Sequence, residues 1–331
     1  MRRIGVGFLG DLPVREVAKL AQKAERSAFD SVWISEDYFK RDAISCLAGI
    51  ALSTKTVKIG SAVINPFTRH VGLIATTFAT LDELSNGRAI LGIGSGNRFL
   101  LEKGMGLRTN NPIEAMRESV LAVKKLIAGE KVLHLGKKVK MQGVSLDFKP
   151  IRSCISVYLA AIGPRMLQLA GEIGDGVFLT AGSTQEYVQR SVRMIERGAL
   201  RGGRSLSDLE IAAYIIWSVS RNRDAAKKAA KRQLVLELSP PEHGEHLLEI
   251  MGFNRNVMRP IRTSVAKGDL LKASQFISNS MVTSMTISGT PTECYRKLEE
   301  YVVSGITLPI LLPVKGTYAL TIKMMRDYIC S

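Results

Sequence analysis

Aromatic side chains are scarce in this chain: Phe, Trp and Tyr make up 6% of the residues, with two tryptophans. That argues against the stacked aromatic platform on which single-stranded nucleic acids are held. Cysteine is equally sparse. Cys46, Cys154, Cys294 and Cys330 stand far apart, which fits neither a zinc ribbon nor a disulfide scaffold and reads as free thiols in a reducing compartment. No apolar run approaches the ~20 residues that a membrane span needs, so no membrane partner is expected. Arg2 and Arg3 precede the apolar stretch Ile4–Leu9, but Asp11 ends it too soon for a secretory signal. A cytoplasmic protein is expected.

Acidic residues are few relative to basic ones. In 331 residues, 46 Lys and Arg stand against 30 Asp and Glu, a formal charge of +16. Such a balance favours anionic partners. The densest basic run, Arg221–Arg232, is alanine-rich and carries no aromatic residue. It reads as a solvated helix face. A phosphorylated or polycarboxylate cofactor is therefore expected, and no nucleic acid.

Other chemistries lack a signature. Of the four histidines His70, His134, His243 and His246, only the last two share helical spacing. No third ligand accompanies them, so solvated histidines and no metal are expected. No G-x-S-x-G elbow and no phosphate-binding P-loop is present. Gly5-Val6-Gly7-Phe8-Leu9-Gly10 matches the dinucleotide pattern, but four residues precede it and its glycines fall inside a strand.

What the chain does contain is alternation. Apolar, β-branched runs at Ile4–Leu9, Ser31–Ser35, Val57–Ile64, Ala89–Ile93, Ile155–Ala160, Gly176–Leu179, Leu209–Val219 and Thr307–Val314 predict eight strands. Helical patterns separate them, one opening at Pro13 and another ending at Asn86-Gly87. Eight such units with right-handed crossovers predict an α/β protein, a (β/α)8 TIM barrel. A single domain over residues 1–331 is expected, with two insertions. One, at about 131–149, is a hairpin after the fourth unit; the other, at about 239–280, is a helical excursion over the barrel mouth between strands seven and eight.

In such a barrel the chemistry sits at the C-terminal strand ends. Two loops there suit an anion. Gly94-Ser95-Gly96 lets backbone approach a ligand closely. Ile162-Gly163-Pro164-Arg165 leads into a helix whose first N–H groups are free, with Arg165 adding charge.

The blocks Asn65-Pro66-Phe67-Thr68-Arg69-His70, Thr80-Leu81-Asp82-Glu83-Leu84-Ser85-Asn86-Gly87-Arg88, Gly163-Pro164-Arg165-Met166-Leu167 and Ala170-Gly171-Glu172-Ile173-Gly174-Asp175-Gly176 resemble the luciferase-like barrel superfamily. Within it the chain is similar to the coenzyme F420-dependent methylenetetrahydromethanopterin reductases over nearly its whole length. The resemblance implies an oxidoreductase of one-carbon metabolism. It would pass a hydride between the deazaflavin and a one-carbon pterin, and relatives form dimers or higher homo-oligomers. It places the cofactor phosphate on Ile162 and Gly163 and the ring against a bulge at Ala62-Val63, beside Asn65, with a non-proline cis peptide at Ala62-Val63. An FMN-dependent member and a non-catalytic deazaflavin binder are the alternatives.

The sequence also departs from those reductases. Gly7 stands where they carry a glutamate, Glu36-Asp37 where they carry Asp-His, and Asn97 where they carry an acid. Glu36, Asp37 and Asn97 are thus the polar groups expected near the reacting atoms. Asn97 can hydrogen-bond a ring carbonyl but cannot act as a general acid.

Overall fold

The structure is a computed structural model, and it describes residues 2–330. In chain order the elements are β1 (Gly5–Phe8), α1 (Val14–Arg26), β2 (Ser31–Ile34), α2 (Ala43–Ser53), β3 (Lys58–Ser61), α3 (Val71–Leu84), β4 (Ala89–Ile93) and α4 (Pro112–Ile127). The hairpin β5 (Val132–Leu135) and β6 (Lys140–Val144) follows, then β7 (Val157–Ala160), α5 (Pro164–Ile173), β8 (Gly176–Leu179), α6 (Gln185–Arg201) and β9 (Glu210–Val219). Five helices come next, α7 (Arg223–Leu238), α8 (His243–Ile250), α9 (Met258–Ala266), α10 (Leu270–Gln275) and α11 (Asn279–Met285). The chain then runs through β10 (Ile287–Gly289), α12 (Pro291–Val303), β11 (Leu308–Pro313) and α13 (Tyr318–Cys330). The main sheet has the order β10-β9-β11-β1-β2-β3-β4-β7-β8, with β9 also paired to β8. Eight parallel strands closed in this way and joined by helices are a (β/α)8 barrel.

The described residues group into two compact units. The larger comprises Gly7–Phe178 and Arg193–Glu210. Its strands β2, β3, β4, β7 and β8 run parallel in register, Trp33 opposite Gly60 and Tyr158 opposite Gly176. The Trp33 ring lies 5.5 Å from that of Tyr158 and 5.3 Å from that of Phe178. Glycine on the neighbouring strands makes room: a Cβ on Gly60 would fall 2.5 Å from the indole, and one on Gly176 would fall 2.7 Å from the Tyr158 ring.

Local signals set the helices of this unit. Asp42 caps α2 by accepting the Ser45 N–H at 2.7 Å. His70 caps α3 through Nδ1, which accepts the Gly72 N–H at 3.2 Å. Asn86 and Gly87 end α3 in the left-handed region, with φ of 55° and 82°. Arg88 is buried, and its guanidinium donates to the carbonyls of Ala51, Thr54, Val57 and Ser85, tying α2 and the entry to β3 to the start of β4. The hairpin is antiparallel, as its glycine-punctuated pattern predicts.

In the smaller unit β9 lies between β10 and β11, all parallel. Thr290 and Glu293 form a capping box at the start of α12. The Tyr301 hydroxyl bonds to the carbonyls of Ser183 and Ser284, at 2.7 and 2.9 Å. The stretch between β9 and β11 is mostly helical, and it also holds β10, whose three residues are too few to show a period of two. One expectation needs correction here. The third strand stops at Ser61, not Ile64; beyond it only the isolated bridge Ile64–Ile93 continues the pairing.

Candidate functional site

The residues singled out at the strand ends, from Gly10 to Arg165, all belong to the larger unit. After β2 the chain presents Glu36, Asp37 and Tyr38, all half-buried. Asp37 ties this loop to the one after β1, since its Oδ2 accepts the Gly10 N–H at 3.0 Å and Lys40 Nζ at 3.2 Å. Asp11, in that first loop, has Oδ1 buried without a hydrogen bond among the described residues.

Glu36 differs from Asp37. Burial pushes its carboxyl above the usual carboxylate range, and the negative charge of Asp42 adds to this. The Ala43 N–H and Arg69 oppose the shift without cancelling it. Glu36 is therefore a carboxyl that holds its proton to higher pH than an exposed one.

Tyr38 joins three loops. Its phenol oxygen accepts Asn65 Nδ2 at 3.0 Å and the Asn97 N–H. Burial pushes the phenol up to about 12, so it stays neutral at physiological pH. Nothing in the sequence beyond its place next to Asp37 points to Tyr38, because the hydrogen-bonded partners come from other strand ends.

After β3 the Ala62–Val63 peptide is cis. Asn65 is fully buried, and its Oδ1 accepts the N–H groups of Phe67 and Thr68, both at 2.9 Å. Its side chain thereby shapes the loop. After β4, Gly94 must be glycine, since a Cβ there would lie 2.8 Å from Val63 Cγ2 and 2.9 Å from Ala160 Cβ. Gly96 adopts φ 72°, and a Cβ would collide with the Tyr38 phenol oxygen. Ser95 is half-buried and makes no hydrogen bond among the described residues. Asn97 is placed differently from a free polar group: its Oδ1 accepts the Leu100 N–H at 3.1 Å and caps the helical turn that starts at Arg98 and runs into the π-helical segment Leu100–Gly104.

After β7, Gly163 is the N-cap of α5 and Pro164 its first residue. No atom lies within 4 Å of the Cβ that Gly163 lacks. The protein's own packing therefore does not require glycine there, and the backbone faces open space. Ile162 is half-buried and Arg165 exposed. The N–H groups of the first turn, the positive end of α5 and Arg165 together suit a phosphate.

These positions form a polar rim carrying a carboxyl of raised pKa and one neutral phenol, a bulge at Ala62–Val63, and an open backbone at Gly163. That set fits a flat ring with a phosphorylated tail. It offers few groups for a metal, and among the described residues no cluster of His, Cys, Asp and Glu is placed to hold one. The histidines at residues 243 and 246 divide: His246 is exposed, whereas burial lowers the pKa of His243, which is only half-exposed and not the solvated group expected.

Comparison with known proteins identifies the family. A family model described as luciferase-like monooxygenase matches residues 3–308. A 5,10-methylenetetrahydromethanopterin reductase of Methanolobus tindarius is 34% identical over 304 residues, covering 92% of this chain and 91% of that protein. The reductase of the same name from Archaeoglobus fulgidus is 33% identical, covering 92% and 91%. The solved coenzyme F420-dependent tetrahydromethanopterin reductase of Methanopyrus kandleri superposes with a TM-score of 0.90 at 28% identity, over 99% of this chain and 98% of that one. An F420-dependent secondary alcohol dehydrogenase shares the fold, with a TM-score of 0.80 at 21% identity. The chain belongs to the luciferase-like monooxygenase family.

Proposed function

We propose that this protein is a coenzyme F420-dependent oxidoreductase acting on a one-carbon pterin, in the manner of the methylenetetrahydromethanopterin reductases. The observation that carries the reading is the open backbone at Gly163, at the head of α5, on the same unit as the Ala62–Val63 bulge. It is supported by reductases more than 30% identical along nine-tenths of the chain.

When bound, the deazaflavin supplies the hydride chemistry. The chain's own residues bind, orient and manage protons. Ile162, Gly163, Pro164 and Arg165 would hold the phosphate, with Pro164 starting α5 and the free N–H groups of its first turn and the Arg165 charge supplying the bonds. Ala62, Val63, Gly94, Ser95 and Gly96 border the ring, with Asn65 fixing the loop beneath it. Keeping two ring systems in contact is itself a large part of the catalysis, because correct placement removes an entropic barrier. Glu36, whose carboxyl burial pushes above the usual range, is the candidate proton carrier at the rim. Asp37 holds the first two loops together, and Asn97 fixes the fourth. Gly7 is buried within β1 and offers no acid, so in this reading Glu36 takes the acid's place.

The test is a titration of the purified protein with F420, followed by fluorescence, and an assay with methylenetetrahydromethanopterin. Tight binding with reduction of the pterin is expected. Binding of FMN with no affinity for F420 would overturn the reading. Binding of F420 without hydride transfer to any pterin would leave a carrier in its place.

A further inference from the structure

A cavity of about 190 Å³ lies beside the strand ends, within the larger unit. Its size is several times the roughly 30 Å³ share of one water molecule. Pro66 and Phe67 are among its apolar lining residues. The Phe67 backbone is held by Asn65 Oδ1, so this part of the lining continues directly from the β3 loop.

The lining also carries cationic and polar side chains. Arg108 and Lys138 are its cations, and neither has an ion-pair partner among the described residues. Asn110 contributes an amide. His70 contributes a donor of defined tautomer, because Nδ1 accepts the Gly72 N–H and so leaves the hydrogen of the neutral ring on Nε2. No carboxylate lines the cavity.

Lys138 is held there rather than merely present. It sits in the turn of the β5–β6 hairpin, and the Glu118 carboxylate of α4 accepts the N–H groups of Lys137, Lys138 and Val139 at 3.0, 2.9 and 2.7 Å. The hairpin turn is thereby fastened to α4 over the cavity. A concave site with two unneutralised cations, two further donors and no acid selects an anion.

We propose that this cavity binds an anionic group, a carboxylate or phosphate, on the outward-reaching part of a ligand whose reactive end lies at the strand ends. The inference rests on the reading of those strand ends as a deazaflavin and pterin site. It is a second anion site, separate from the Gly163 loop, and it gives a role to the hairpin.

The experiment uses the full chain as wild type, as the Arg108→Ala/Lys138→Ala double variant and as Asn110→Asp. All three positions are exposed, and circular dichroism checks folding. The first measurement is the melting temperature against inorganic phosphate at constant ionic strength. A saturable rise in wild type that disappears in the double variant is expected. The second is the Kd for F420, for its tail-less riboside, and the KM for the pterin. A loss of about tenfold in F420 affinity with the riboside unchanged assigns the anion to the deazaflavin. A comparable rise in pterin KM with F420 affinity unchanged assigns it to the pterin. Asn110→Asp should act in the same direction through repulsion. If phosphate gives no saturable shift, and both variants match wild type for every ligand, the proposal is overturned. A wild type that shows the phosphate shift but binds no F420 would sink the reading of the strand ends and leave the anion site standing.

Discussion

The side-chain amide of Asn65 donates to the phenol oxygen of Tyr38 at 3.0 Å, joining the loops that follow β3 and β2. The same oxygen accepts the Asn97 N–H, so one phenol registers three strand ends. Tyr38→Phe removes the acceptor and leaves both donors unpaired. A loss of about 1–3 kcal/mol in stability is expected from an unsatisfied buried donor, measured by urea denaturation. F420 affinity should fall with it. A variant as stable as wild type with unchanged affinity would show that the three loops are registered by other contacts.

Gly163→Ala should keep native packing, because nothing lies within 4 Å of the new methyl group, with only a small loss from alanine at an N-cap. It should nevertheless weaken F420 binding, since the methyl group occupies ligand space. Gly163→Asp should weaken binding further by placing a negative charge beside a phosphate. Fluorescence titration gives the order wild type, alanine, aspartate. An aspartate variant that bound F420 as tightly as wild type would move the phosphate elsewhere, first to Gly94-Ser95-Gly96.

The Glu36 carboxyl has a folded pKa raised by burial. Its contribution to stability is therefore full in acid and is lost as pH rises through the raised value. Glu36→Gln should gain in stability relative to wild type on going from pH 4 to pH 8, as read by melting temperatures. If Glu36 holds the proton used in the reaction, the basic limb of the wild-type kcat/KM profile should vanish in the variant along with most of its rate. An unchanged profile would remove Glu36 from proton handling.

Asn97 caps a turn, and that changes what its substitutions report. Asn97→Asp keeps the capping oxygen at the same distance and places a negative charge at a helix N-terminus, where it is favourable. It should be as stable as wild type, with any change confined to kcat. Asn97→Glu lengthens the side chain and should lose about 1 kcal/mol with the cap. Thermal melts of both variants test this; equal stability would mean that the Leu100 N–H finds another acceptor.

Burial pushes the Glu118 carboxyl up, but the N–H groups of Val139, Lys138 and Lys137 outweigh it and hold the group below its ordinary range. Its stabilisation is present at neutral pH and is lost as pH falls through the depressed value. Glu118→Ala should open the hairpin turn, making Lys137 and Lys138 sites of fast tryptic cleavage. A variant as resistant as wild type would show that strand pairing alone fixes the turn.

The barrel was legible in the sequence because its signals are local. Ala89–Ile93 and Gly176–Leu179 are continuous apolar runs that become strands with those bounds, and Asn86-Gly87 stops α3 as its composition predicts. The start of α5 was legible for the same reason, since Gly163 and Pro164 are neighbours in sequence. The role of Tyr38, the capping role of Asn97 and the fastening of Lys138 by Glu118 were not. Each depends on a partner brought in by another element, at separations that no periodicity encodes. The short strand β10 escaped because three residues flanked by helices carry too little pattern.

The pairing of Trp33 with Gly60 and of Tyr158 with Gly176 makes each aromatic ring and its cross-strand glycine joint holders of a single volume. Neither member can be exchanged alone: enlarging the glycine drives a methyl group into the ring, and trimming the ring leaves a void beside a residue with no side chain to fill it. Relatives that diverge at one of these positions should therefore have changed at the other as well. A designer seeking to reshape the barrel interior would have to treat each pair as one substitution.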